Sequence, residues 1–116
     1  MFGSRRWLVF LHDALLNAMK LEITQPIAMR KLSFGSEEVT VVLGMPQPVE
    51  DSDFLCPYEI SYSSHTRKGY AIGVDGVQAI QLAMKKIASD LLHLSTASGI
   101  PISGKRGDPG DTGFRA

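Results

Sequence analysis

The sequence carries a single cysteine in 116 residues, so it forms no intrachain disulfide and is no disulfide-stapled scaffold. It has no excess of charge of either sign. Twelve Lys+Arg stand against twelve Asp+Glu, which excludes strong, non-specific nucleic-acid binding driven by a basic surplus. Long apolar runs are missing too. Trp7-Leu8-Val9-Phe10-Leu11 follows Arg5 and Arg6 in the manner of a signal peptide, but it stops at His12 and Asp13. A signal core needs about 7–15 apolar residues, and a membrane span about 18–20. Together these absences make a cytoplasmic protein with no membrane partner the expectation.

What is present suits one domain. The hydrophobic share is 44% and the charged share 21%, which argues against disorder. A chain of this length buries roughly 60–70% of its unfolded surface, enough for one core.

Residues 4–19 read as an amphipathic helix, with Trp7, Leu8, Leu11, Leu15 and Ala18 at helical spacing and Ser4 as cap. Met19 offers a second possible start, so residues 1–19 are either part of the fold or an appendage. The period then falls towards two. Residues 27–34 predict a strand, Gly35-Ser36 a turn, and residues 37–43 a second strand with Val39, Val41 and Leu43 on one face. Residues 44–53 read as a long loop with two prolines and three acids. Residues 54–62 resume as a strand with Cys56, Tyr58, Ile60 and Tyr62 on one face; Pro57 should place it at an edge or a strand start. Residues 63–69 read as a polar turn and residues 70–74 as a fourth strand.

Asp75 opens the clearest element. Val77, Ile80, Met84, Ile87, Leu91 and Leu94 step by three and four, predicting a helix over 76–97. Asp75 caps it, Gln78 completes a capping-box-like pair, and Gly99 stops it. Ile80, Met84, Ile87 and Leu91 should be inaccessible, and Lys85, Lys86 and Asp90 exposed. Residues 98–116, rich in glycine, read as irregular. The expected fold is α+β: a four-stranded antiparallel sheet with one long helix packed on it and a shorter N-terminal helix. Its parts are residues 1–19, an α+β domain at 20–97, and an irregular segment at 98–116. Four strands make a sheet nearly 20 Å wide, twice what one helix covers. The N-terminal helix, with its apolar stripe, is the expected second cover; a dimer contact or the tail around Phe114 is the other.

The chemistry-bearing residues are sparse. Cys56, His65 and His93 lack the short spacing of a metal site, and no cofactor is expected. Cys56 and His65 form a nucleophile pair only if the fold joins them; a cysteine on an apolar strand face otherwise packs. Gly104, Gly107, Gly110 and Gly113 repeat every third residue, too briefly for a triple helix, and Arg106-Gly107-Asp108 reads as accidental. Glu50, Asp51 and Asp53 suit a partner with a basic patch. Lys105 and Arg106 suit an anionic group of a partner.

Three segments carry a resemblance: Cys56-Pro57-Tyr58-Glu59-Ile60, then Gly73-Val74-Asp75-Gly76-Val77-Gln78-Ala79-Ile80-Gln81-Leu82-Ala83, then Gly110-Asp111-Thr112-Gly113-Phe114. Over roughly residues 30–114 the chain resembles a family of small bacterial proteins of unknown function. The resemblance implies a bacterial α+β domain that includes the glycine-rich tail, and it names no activity. With no catalytic constellation, the expected function is a protein-binding module, of the immunity or antitoxin kind that blocks a partner. Its candidate contacts are Glu50, Asp51, Asp53, Lys105 and Arg106. A small-molecule binder or enzyme with a pocket between helix and sheet is the alternative, and a structural homodimer subunit a further one. A titratable pair in a pocket would favour the alternative. An exposed apolar patch beside the acids would favour the module.

Overall fold

The computed structural model describes residues 22–104 and 110–115. The described elements run β1 (Pro26–Phe34), β2 (Glu37–Gly44), β3 (Gln47–Pro48), a 3-10 turn at Glu50–Ser52, β4 (Phe54–Tyr62), β5 (His65–Gly73), α1 (Gly76–Ser98) and β6 (Ile102–Gly104). All strand pairs are antiparallel. β4 lies between β5 on one side and β2 and β3 on the other; β1 follows β2, and β6 closes the far edge against β1.

This corrects the expected fold. The sheet has six strands rather than four, the molecule is mostly β, and the described residues hold one α-helix. The predicted N-terminal helix at 4–19 lies outside the described residues. The two extra strands are short pieces that periodicity does not register. β3 is a two-residue pairing inside the predicted loop, and β6 a three-residue pairing inside the predicted irregular segment. The polar turn expected at 63–69 shrinks to Ser63-Ser64. His65 already pairs with Tyr62, so the run His65-Thr66-Arg67-Lys68 forms the exposed end of edge strand β5.

Alternation places the core as the sequence implies. Leu32 and Phe34, then Val39, Val41 and Leu43, then Cys56, Tyr58 and Ile60 share one sheet face and are buried with Ile102. Pro57 is not at an edge. It sits in central strand β4 where pairing to β2 ends, at Tyr58, and before pairing to β3 begins, at Leu55. On its other side it stays in register with β5, opposite Tyr70, whose carbonyl accepts from the Lys86 ammonium instead of from the N–H that proline lacks.

Helix α1 is capped as the sequence predicts. Asp75 accepts a bond from the Gln78 N–H at 2.7 Å, and the Gln78 side chain accepts one from the Val74 N–H at 2.7 Å. Gly99, at φ 72°, ends it with a bond to the Ser95 carbonyl. The buried stripe is turned from the predicted one. Ala79, Ala83, Ile87 and Leu91 are buried; Ile80 is half-buried and Met84 exposed. The cause is close approach. A Cβ on Gly73 would fall 2.5 Å from the Ala79 nitrogen, so the first turns of the helix rest against β5 through Ala79 and Ala83, with Ile80 and Met84 to the flanks. Lys85 and Lys86 are exposed, as expected.

The helix lies over β5 and β4. On the β1–β2 side of the same face lie residues 110–115. The Gly104 N–H donates to the Asp111 carbonyl at 2.8 Å, and Phe114 packs half-buried against the core.

Candidate functional site

The buried titratable groups come first. Tyr58, on β4, is 2% exposed, and its hydroxyl donates to the Asp90 carboxylate of α1 at 2.5 Å. Arg67 of β5 pairs with the other Asp90 oxygen at 3.2 Å. Asp90 is therefore no exposed residue, contrary to the helical projection. Burial, and then the bond to Asp90, push the Tyr58 phenol well above its ordinary range. A phenol that keeps its proton beneath a helix joins helix to sheet and offers nothing to a substrate. Cys56 is likewise structural. Its thiol is buried, donates to the Gly44 carbonyl at 3.4 Å, and is pushed up to about 11 by burial, so it carries no nucleophilic thiolate at neutral pH. His65 pairs with Tyr62 and Cys56 with Ala71, six positions apart along β5, or about 20 Å at the rise of a strand. The fold keeps Cys56 and His65 apart. Among the described residues no group of three His, Cys, Asp or Glu is placed to hold a metal ion.

The acidic residues occupy one end of the sheet. Glu50 opens the 3-10 turn and is exposed; Asp51 lies within it; Asp53 follows, half-buried, and its carbonyl accepts the Val49 N–H at 2.8 Å. The same end carries apolar side chains in solvent. Phe54 pairs with Gly73, which sets Asp53 beside Val74 in register. Pro46 touches the place where a Cβ on Gly76 would sit, which brings the Met45-Pro46 corner to the start of α1. Val74 is 68% exposed, Val77 66% and Met45 38%. Lys105 and Arg106 lie outside the described residues. Gly104, just before them, pairs with Leu32 at the β6 edge, with β1 and β2 between it and the acidic turn. Of the five predicted contact residues, Glu50, Asp51 and Asp53 share one turn of the described structure.

A third feature lies between helix and sheet, where the alternative reading set a pocket, though the sequence reading named no residues for it. Between α1 and the β1–β2 half of the sheet runs an apolar groove lined by Ala28, Val41, Leu43, Met84 and Phe114, with Arg30 at its side. Arg30 donates to the Thr112 carbonyl at 2.9 Å, and its guanidinium lies 4.7 Å from the centre of the Phe114 ring. Gly113, at φ 81°, lies so close to that guanidinium that a side chain there would collide with it. The only sequence signal was Arg30 itself: a charge at a position whose strand neighbours on the same face, Ala28 and Leu32, are apolar.

The family profile of a domain of unknown function, DUF6968, matches residues 28–115. The chain belongs to the DUF6968 family. No curated protein and no solved structure matches it. The matched span of the DUF6968 domain runs from within β1 through the tail, so the glycine-rich tail is part of the domain, as the resemblance implied. Both the Arg30 side of the groove and its Phe114 side fall inside it. No described helix of this DUF6968 chain is long and apolar enough to cross a membrane.

Proposed function

We propose that this DUF6968 chain is a protein-binding module whose contact surface is the acidic end of the sheet. The observation that carries the reading is the exposure of Val74 and Val77, 68% and 66%, beside the turn that bears Glu50 and Asp53. Singly exposed apolar residues are ordinary. Apolar residues gathered at one end and edged by charge of one sign are the usual mark of an interaction surface. Asp75 and Gln78 fix the strand-to-helix corner between the two valines, so the surface is presented already ordered, which lowers the entropic cost of binding. The partner that suits it has an apolar patch ringed by Lys and Arg. Blocking of that partner, in the manner of a cytoplasmic bacterial immunity or antitoxin protein, is the form of the function we favour. Lys105 and Arg106 would add a second contact for an acidic group.

The test begins with affinity capture from the native cell and mass spectrometry, followed by association kinetics with the captured partner. Replacing Glu50, Asp51 and Asp53 by their amides should slow association and flatten its salt dependence. Val74→Ser with Val77→Ser should instead speed dissociation. A partner that binds all these variants with unchanged rates at low salt would place the interface elsewhere. Self-association lost with the valine pair would identify the partner as a second copy.

A further inference from the structure

The groove between α1 and β1–β2 is an open trough of about 140 Å3, smaller than the ~300–1,000 Å3 of drug-sized ligand sites and so suited only to a small ligand. Its floor is Ala28, Val41 and Leu43, its helix wall Met84 and its outer wall Phe114. Alone on this floor, Arg30 brings a charge. It faces the same side of the sheet as its register partner Val41, and it is exposed. Its contacts are a carbonyl and an aromatic ring; among the described residues no carboxylate pairs with it. Arg67, another guanidinium on this face, is by contrast paired with Asp90. A guanidinium carries a fork of donors that fits a carboxylate in two parallel bonds, and here that fork borders an apolar trough.

We propose that this groove binds a small organic acid with an aliphatic or aromatic body. The carboxylate pairs with Arg30, and the apolar body lies on Val41 and Leu43 between Met84 and Phe114. One guanidinium balances one negative charge, which favours a monocarboxylate over a phosphate. The site stands apart from the acidic end of the sheet, so the two readings fail separately.

The experiment titrates the full chain with octanoate and 4-phenylbutyrate, with octan-1-ol and inorganic phosphate as controls, by calorimetry and amide NMR. Saturable binding of the acids is expected, with shifts centred on residues 28–30, 41–43, 84 and 112–114. Arg30→Gln should weaken the acids about tenfold or more and leave octan-1-ol unchanged. Arg30→Lys, which keeps the charge but not the fork, should fall between. Unchanged acid affinity in Arg30→Gln, shifts centred elsewhere, or no saturation by about 5 mM would overturn the proposal. Binding of phosphate alone would do so as well. If Arg30→Gln fails to fold, Arg30→Lys and the shift map decide.

Discussion

Over β4 and β5 the core face of the sheet lies under a 23-residue helix; over β1 and β2 it lies under the short tail at residues 110–115. The helix side is fixed by fully buried Ile87 and Leu91, by alanines seated against β5, and by the Tyr58–Asp90–Arg67 cluster. At its edge the Lys86 ammonium donates to the Tyr70 carbonyl and lies over the Tyr70 ring. The tail side is fixed by one half-buried ring, a guanidinium bonded to the Thr112 carbonyl and one backbone bond, from Gly104 to Asp111. One half is a closed core. The other is a cover with a groove beneath it. Exposed Met84, on the helix flank that looks towards the tail, marks the seam between them. The difference separates the part of the molecule that makes it stable from the part that is open to a ligand.

Four measurements can break that contrast. Ile87→Ala should cost about 2–5 kcal/mol, the range for a large-to-small change in a tight core, read from the denaturant midpoint. If it costs no more than a change in the tail, the two halves are energetically alike. Tyr58→Phe should cost about 1–3 kcal/mol, because it leaves a partly buried carboxylate without one of its donors. Urea unfolding at neutral pH reads it, and a neutral result would make the cluster incidental.

Alkaline pH is the third. The Cys56 thiol holds its proton to about 11 in the folded chain against an ordinary 9.0, and Tyr58 is shifted the same way. The unfolded chain therefore loses these protons first. This stability is fully present below about pH 9 and is lost as pH rises towards and through 11, on the order of 1–2 kcal/mol by pH 11. Melts across pH 7–11 should show a shallower decline in Cys56→Ala than in the parent. Equal slopes would mean that the thiol is already solvated. The smallest effect is expected from Phe114→Ala, about 1 kcal/mol for a half-buried ring. Amide signals of β1 and β2 should move and those of α1 around Ile87 stay. Loss of the helix signals would show that tail and helix form a single cooperative cover.

Much of the helix side was legible. Asp75, Gln78 and Gly99 announced the ends of α1, and the alternation in β2 and β4 announced the buried face. What was hidden depends on neighbours distant in the chain. Ile80 and Met84 outrank Ala79 and Ala83 in hydrophobicity, and only the closeness of Gly73 selects the alanines. Asp90 reads as a surface charge until Tyr58 and Arg67 arrive from two strands. The tail side was barely legible. β6 is too short to show a period, Phe114 follows a glycine-rich stretch that reads as coil, and Arg30 gains meaning only from what lies opposite it. Of the predicted contact residues, Glu50 and Asp53 fall beside exposed valines, which no pattern in the loop foretold.

The β6–β1 pairing also sets an order of assembly. Arg30 and Thr112 lie 82 positions apart, whereas the β1–β2 and β4–β5 hairpins close over a few residues each. Contacts between distant positions form late, because a long loop must close before they reward it. During synthesis, then, the hairpins can zip while the outer edge of β1 still waits for residues 102–104. For that interval it presents a bare row of backbone donors and acceptors, a template for pairing with another nascent chain. The last described strand is thus a guard as well as a support for Leu32–Phe34: a chain halted before residue 102 keeps those backbone groups open to another chain, and its aggregation should rise accordingly.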